Sequence, residues 1–114
     1  MFFHNSAIRF SAVQDGLSNT LMIGERKTKV VDEWYSTWNG YVSHGEEAAV
    51  RILGTTDHTP NHPDNHFDDF SSYHVGGAIF GLGDGSVRFI GQNLDKDLYQ
   101  HLATRNGGEA LGEF

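Results

Sequence analysis

Three histidines and four aspartates fall within residues 54–69, GTTDHTPNHPDNHFDD, the densest grouping of metal-ligating side chains in this chain. Imidazole suits zinc, copper or nickel, and carboxylates suit harder cations. His58, His62 and His66 recur every four residues, a spacing that would align them along one helix face. Pro60 and Pro63 oppose that helix, because each fixes φ and lacks a backbone donor. The expectation is therefore a folded loop that gathers two of the histidines with Asp57, Asp64, Asp68 or Asp69. The candidate metal ligands are His58, His62, His66, Asp64 and Asp68, and the bland counterpart is a solvated polar loop. Calcium fits less well, since no glycine-hinged loop with regular oxygen spacing is present.

A second grouping is aromatic. Trp34, Tyr35, Trp38 and Tyr41 crowd residues 30–42, a density that favours strand. Such side chains can stack on a sugar or meet another protein, although completing a glycine-thinned core is their commoner use. Elsewhere the chemistry is sparse. Ser18, Asn19 and Thr20 read as a polar turn, because no base is placed near Ser18. Glu25 is expected to pair with Arg88 or Arg105, or to remain a solvated edge charge, and Arg88 to pair with a carboxylate. GLGDGS at residues 81–86 lacks the lysine and the helix of a phosphate loop.

The elements that must position these residues centre on 70–90, FSSYHVGGAIFGLGDGSVRFI. Asp84-Gly85 between two apolar runs predicts a β-hairpin with a two-residue loop. That register opposes Leu82 to Val87 and Phe80 to Phe89, placing Leu82, Val87, Phe80, Phe89 and Ala78 on the core face, with Ile79, Gly81, Arg88 and Ile90 behind. An extended strand would then hold His74 roughly 30 Å from Asp84, too far to share a proton. His74 reads as a structural or partner-facing residue, not a base.

Further strands are expected at 21–27 and 48–53, together with the aromatic segment. A helical turn capped by Ser11 should end at Gly16, and Asn93-Leu94-Asp95 should open a final helix carrying Leu94, Leu98 and Leu102. The predicted fold class is α+β: one domain over residues 1–114, with an antiparallel sheet of roughly four to six strands and helices packed on one face or end.

His74, nine residues, then Asp84-Gly85 resembles the defining motif of the bacterial prepilin-type, processing-associated domain family, with Gly76 and Gly77 inside the same block. The likeness extends along most of the chain. Arg9-Phe10 with DGLSNTLMIGER at 15–26 looks like that family's first block, Trp38-Asn39-Gly40 its Trp-x-Gly segment, and Leu98-Tyr99 through LATRNGGE its closing block. Val75 stands where proline is expected and Ile79 where asparagine is. The resemblance implies a pseudopilin-like globular domain, extracytoplasmic, whose N-terminal membrane helix this chain lacks. It further implies a non-enzymatic subunit of a type II secretion or type IV pilus-like assembly, with other pilin-like or secretion proteins as partners and oligomers as an option. The alternative is an extracytoplasmic metal- or glycan-binding module using the His/Asp loop or the Trp/Tyr surface.

Composition limits these choices. Eight basic against fifteen acidic residues give a net charge of -7, which repels a phosphate backbone and disfavours nucleic acid. No cysteine is present, so neither a disulfide framework nor a thiolate centre can form. No apolar run is long enough to cross a membrane, and the start of the chain lacks the pattern of a signal peptide. No motif requires a cofactor; a divalent metal in the His/Asp loop is the one candidate.

Overall fold

The computed structural model describes residues 1–3, 5–29, 36, 51–108 and 114. Within them the chain is a small mixed α+β domain. Three antiparallel strands, β1 (Leu21–Gly24), β2 (Gly77–Leu82) and β3 (Val87–Gly91), form one sheet in the order β1-β2-β3, and one short helix, α1 (Lys96–His101), follows. The expected strand at 30–42, Ser36 excepted, and residues 48–50 lie outside the described residues. Residues 51 and 52 belong to a turn, and the strand expected over 21–27 stops at Gly24.

β2 alternates as its sequence predicts. Ala78, Phe80 and Leu82 are fully buried, while Ile79 faces outward. Tyr99 and Leu102 from α1 and its end pack with them, along with Leu21 and Ile90, and Phe70, Leu94 and Phe114 close the margins. The Phe80 ring meets Phe70 and Tyr99 edge-on, at centroid distances of 5.1 and 6.0 Å. Asp95 caps α1, its Oδ1 accepting from the Leu98 amide at 3.0 Å, and Asp97 lies in the first turn. The single turn expected from Ser11 is instead two 3-10 turns, Phe10–Ala12 and Leu17–Asn19, joined through Gly16 at φ +93°. Ser11 caps neither of them.

The hairpin is present, but its register differs from the expected one by a residue. Gly81 opposes Val87, Ile79 opposes Phe89 and Ala78 opposes Ile90. The loop has three residues: Leu82 pairs with Ser86 through an amide donating at 2.9 Å, and Gly85 donates to the Leu82 carbonyl at 3.0 Å with φ +86°. The cause lies outside the hairpin. Gly83 donates to the Thr20 carbonyl and Asp84 to that of Leu17, so Gly83 belongs to the loop and not to the ladder. A one-residue slip turns a strand over. Ile90, 2% exposed, therefore takes the core position assigned to Phe89, which is 53% exposed. Phe80 and Phe89 do not meet on the buried side; Phe89 and Val87 join Ile79 and Ile23 on an apolar outer face.

Candidate metal centre

The 54–69 segment folds as successive turns, as two prolines in a polar stretch dictate. His62 donates to the Thr59 carbonyl, Asn65 to that of His62 and Asp69 to that of His66. Asn61, at φ +60°, fastens this loop to the start of β2. Its Oδ1 accepts from the Ser72 amide at 2.8 Å, and its Nδ2 donates to the carbonyls of His74 and Gly77 at 3.1 and 3.0 Å. On its other side Gly77 lets β2 start close against β3, since a Cβ would collide with the Ile90 carbonyl oxygen.

Asp69 is the hub of the loop. Its side chain is 1% exposed, and both of its oxygens are engaged by hydrogen-bond partners. Oδ1 accepts from the Thr55 hydroxyl and the His58 amide, each at 3.2 Å. Oδ2 accepts from the His66 amide at 2.9 Å and lies 2.8 Å from His58 Nδ1. A buried carboxylate is tolerable only with such a donor set. One side chain thereby holds the backbone beneath two histidines.

Those two histidines and Asp69 form the convergent donor group. His58, His66 and Asp69 each offer one ligand atom, and these atoms lie within 4.8 Å of one another. Donors on a tetrahedral ion with bonds of about 2.1 Å stand about 3.4 Å apart, so modest side-chain rotation closes the set. The carboxylate lies buried below, His58 is half-buried, and His66 is exposed. His58 is further ordered by its neighbours: the His62 ring stacks on it at 5.1 Å and the His66 ring meets it edge-on at 5.5 Å. His58 Nδ1 is the ring nitrogen that faces Asp69 Oδ2, at 2.8 Å, so for the two to share an ion Nδ1 must turn a lone pair to the metal in place of that hydrogen bond. The trio can thus coordinate a divalent ion, and two imidazoles with one carboxylate suit a first-row transition metal.

The other candidates stand apart from this trio. His62 Nδ1 accepts from the Asp64 amide at 3.1 Å, which occupies that lone pair. Asp64 is exposed, 3.9 Å from the same nitrogen. Asp68 Oδ2 lies 3.1 Å from the Thr55 hydroxyl and competes with Asp69 Oδ1 for its single proton. Phe67, between His66 and Asp68, is buried beneath two guanidinium groups, Arg26 at 5.1 Å and Arg51 at 4.7 Å from its centroid. Burial lowers the Arg26 pKa, opposed by the charges of Asp68 and Asp69.

His74 does not touch Asp84. Its Nε2 lies 3.3 Å from Glu25 Oε1, while Glu25 Oε2 accepts from the Ile79 amide at 2.7 Å. Glu25 therefore extends the β1 edge and pairs with His74, not with Arg88 or Arg105. Asp84 Oδ1 accepts from the Ser86 hydroxyl and amide, which lower its pKa and fold the side chain onto its own turn. Arg88 donates to the Phe114 main-chain oxygen at 3.1 Å and covers that ring, in place of the expected carboxylate. Gly76, at φ +86°, turns the chain into β2. Trp34, Tyr35, Trp38 and Tyr41 lie outside the described residues. A cleft of about 620 Å³ is lined by Phe2, Phe3, Leu21, Arg26, Thr56 and Phe70 among others, and by none of the trio.

A family model described as "Protein of unknown function (DUF1559)" matches residues 1–97, a span that includes the sheet and the whole histidine loop. The chain belongs to that family. Its description names no activity, so the donor trio of this DUF1559 member must be read from its own geometry. No curated protein and no solved structure matches the chain. No helix among the described residues is long and apolar enough to cross a membrane.

Sequence reasoning left Asp69 as one of four eligible carboxylates and did not single it out. A usable signal was present: Asp69 closes the polar loop directly before Phe70, whose ring packs on Phe80, so the last carboxylate of the loop must approach the core.

Proposed function

We propose that this chain is a metal-binding module whose loop holds a divalent transition ion through His58, His66 and Asp69. The observation that carries this reading is the convergence of three donor atoms within 4.8 Å, one of them from the buried Asp69 carboxylate. Bound metal would supply a Lewis-acidic positive charge, while Asp69 would keep hold of the backbone amides of His58 and His66. The test is calorimetry with zinc on chelator-treated protein. One-to-one binding is expected, weakened roughly tenfold or more by His58→Ala and by His66→Ala. Absence of binding heat, or binding that neither substitution changes, defeats the reading.

A second reading draws on the outer face of the sheet, where Ile23, Ile79, Val87 and Phe89 are exposed together. The prepilin-type resemblance supports a non-catalytic, extracytoplasmic subunit of a secretion or pilus-like assembly, with this face against a pilin-like neighbour. Cross-linking from a cysteine placed at Val87 in the native assembly would test it. A product with a pilin-like subunit is expected, and a cysteine that yields none removes this reading.

A further inference from the structure

The trio has a feature that bears on what its metal would be for. Enclosed structural sites surround a transition ion with four protein donors, whereas sites that act on a ligand keep a position open. Among the described residues, the converging histidine and carboxylate donors stop at three. Asp69 lies on the buried side and His66 on the solvent side, so any remaining position faces outward. His62 is the nearest candidate to fill it, yet its ring stacks beside that of His58 at an interplanar angle of 28°, and its Nδ1 is engaged by the Asp64 amide. Two stacked rings do not converge on a common point.

Charge then selects the ligand. Two neutral imidazoles and one carboxylate leave a divalent ion with one net positive charge, which a monoanion neutralises. Asp57 and Asp64 are exposed along the same loop and the chain carries -7 overall, so a polyanion would meet repulsion. We propose that His58, His66 and Asp69 form an open centre whose free coordination position takes a small monoanionic ligand. This rests on the metal reading above.

Cobalt(II) separates the two ideas, because its visible absorption reports coordination number and ligand exchange. The whole chain, freed of metal by chelation, is titrated with cobalt and then with acetate or azide. The expected result is a cobalt spectrum that develops to one equivalent, followed by a saturable change with either anion. His66→Ala should abolish both, and His62→Ala should retain a saturable response to either anion. A cobalt spectrum that neither anion alters, or one that responds to them only after His62→Ala, overturns the open centre while leaving metal binding intact. Failure to bind cobalt defeats the metal reading and this inference with it. The parent protein's anion titration decides the matter whether or not a variant folds.

Discussion

Replacing Asp69 by asparagine changes almost no volume and removes one charge, which makes it the sharpest probe of the loop. The carboxylate receives four donors: the Thr55 hydroxyl, the amides of His58 and His66, and the His58 ring. An asparagine offers one accepting oxygen and one donating nitrogen. If its nitrogen replaces Oδ2, the His58 ring can adopt the tautomer that accepts, but the His66 amide then faces a donor. If the nitrogen replaces Oδ1, the Thr55 hydroxyl can rotate, but the His58 amide faces a donor. In either orientation one backbone amide loses its acceptor. Loss of a charged hydrogen bond costs about 1.5–3 kcal/mol, and an unsatisfied buried donor adds about 1–3 kcal/mol. We expect a destabilisation of about 3 kcal/mol, or roughly 10 °C in Tm for a domain of this size. Urea denaturation of the metal-free protein measures it. A value within about 0.5 kcal/mol of the parent, the range of an inconsequential surface change, would refute the hub role of Asp69.

Three other outcomes follow from the geometry. Ile90→Ala should cost about 2–5 kcal/mol and Phe89→Ala less than about 1 kcal/mol in thermal denaturation; the reverse order would restore the two-residue hairpin register. Tyr99 carries a buried hydroxyl with no hydrogen-bond partner, its pKa raised by burial and then by the charge of Asp69, so Tyr99→Phe should be neutral or stabilise by about 1 kcal/mol, read by the same denaturation. The Asp15 carboxylate is held below its ordinary pKa of 3.8 by the amides of Gly108 and Gly107 and by the Thr104 hydroxyl, against desolvation. Because the folded value is depressed, its contribution is full above the unfolded pKa and is lost as pH falls through the lower, folded one. Exchange of the Gly107 and Gly108 amides should quicken only on acidification below that range, and Asp15→Asn should remove the dependence.

The legible parts of the fold were those governed by local pattern. Ala78, Phe80 and Leu82 alternate against Ile79 and Gly81, so the buried face of β2 could be read directly. Asp95 announced the helix start, though Tyr99, not Leu98, takes the fully buried position. The face of β3 was not legible, because Gly83-Asp84-Gly85 suits a two- or a three-residue loop. Carbonyls of Leu17 and Thr20, distant in sequence, decide between them. The donor loop divides the same way. Its histidines are visible as ligands by type, and the prolines exclude the helix. Which of them converge depends on a carboxylate reaching back to the amides of His58 and His66, and spacing carries no trace of that. Likewise His74 found Glu25 only because β1 lies beside β2.

Asn61 gives the donor loop a mechanical character that its lack of regular structure would not suggest. Its one side chain is riveted to residues 72, 74 and 77, spanning the last irregular residues and the first of β2. Displacing the histidines as a block would have to shear those bonds or drag the strand along. The loop should therefore fluctuate in step with the sheet, and a pull exerted at the imidazoles would be felt at the hairpin.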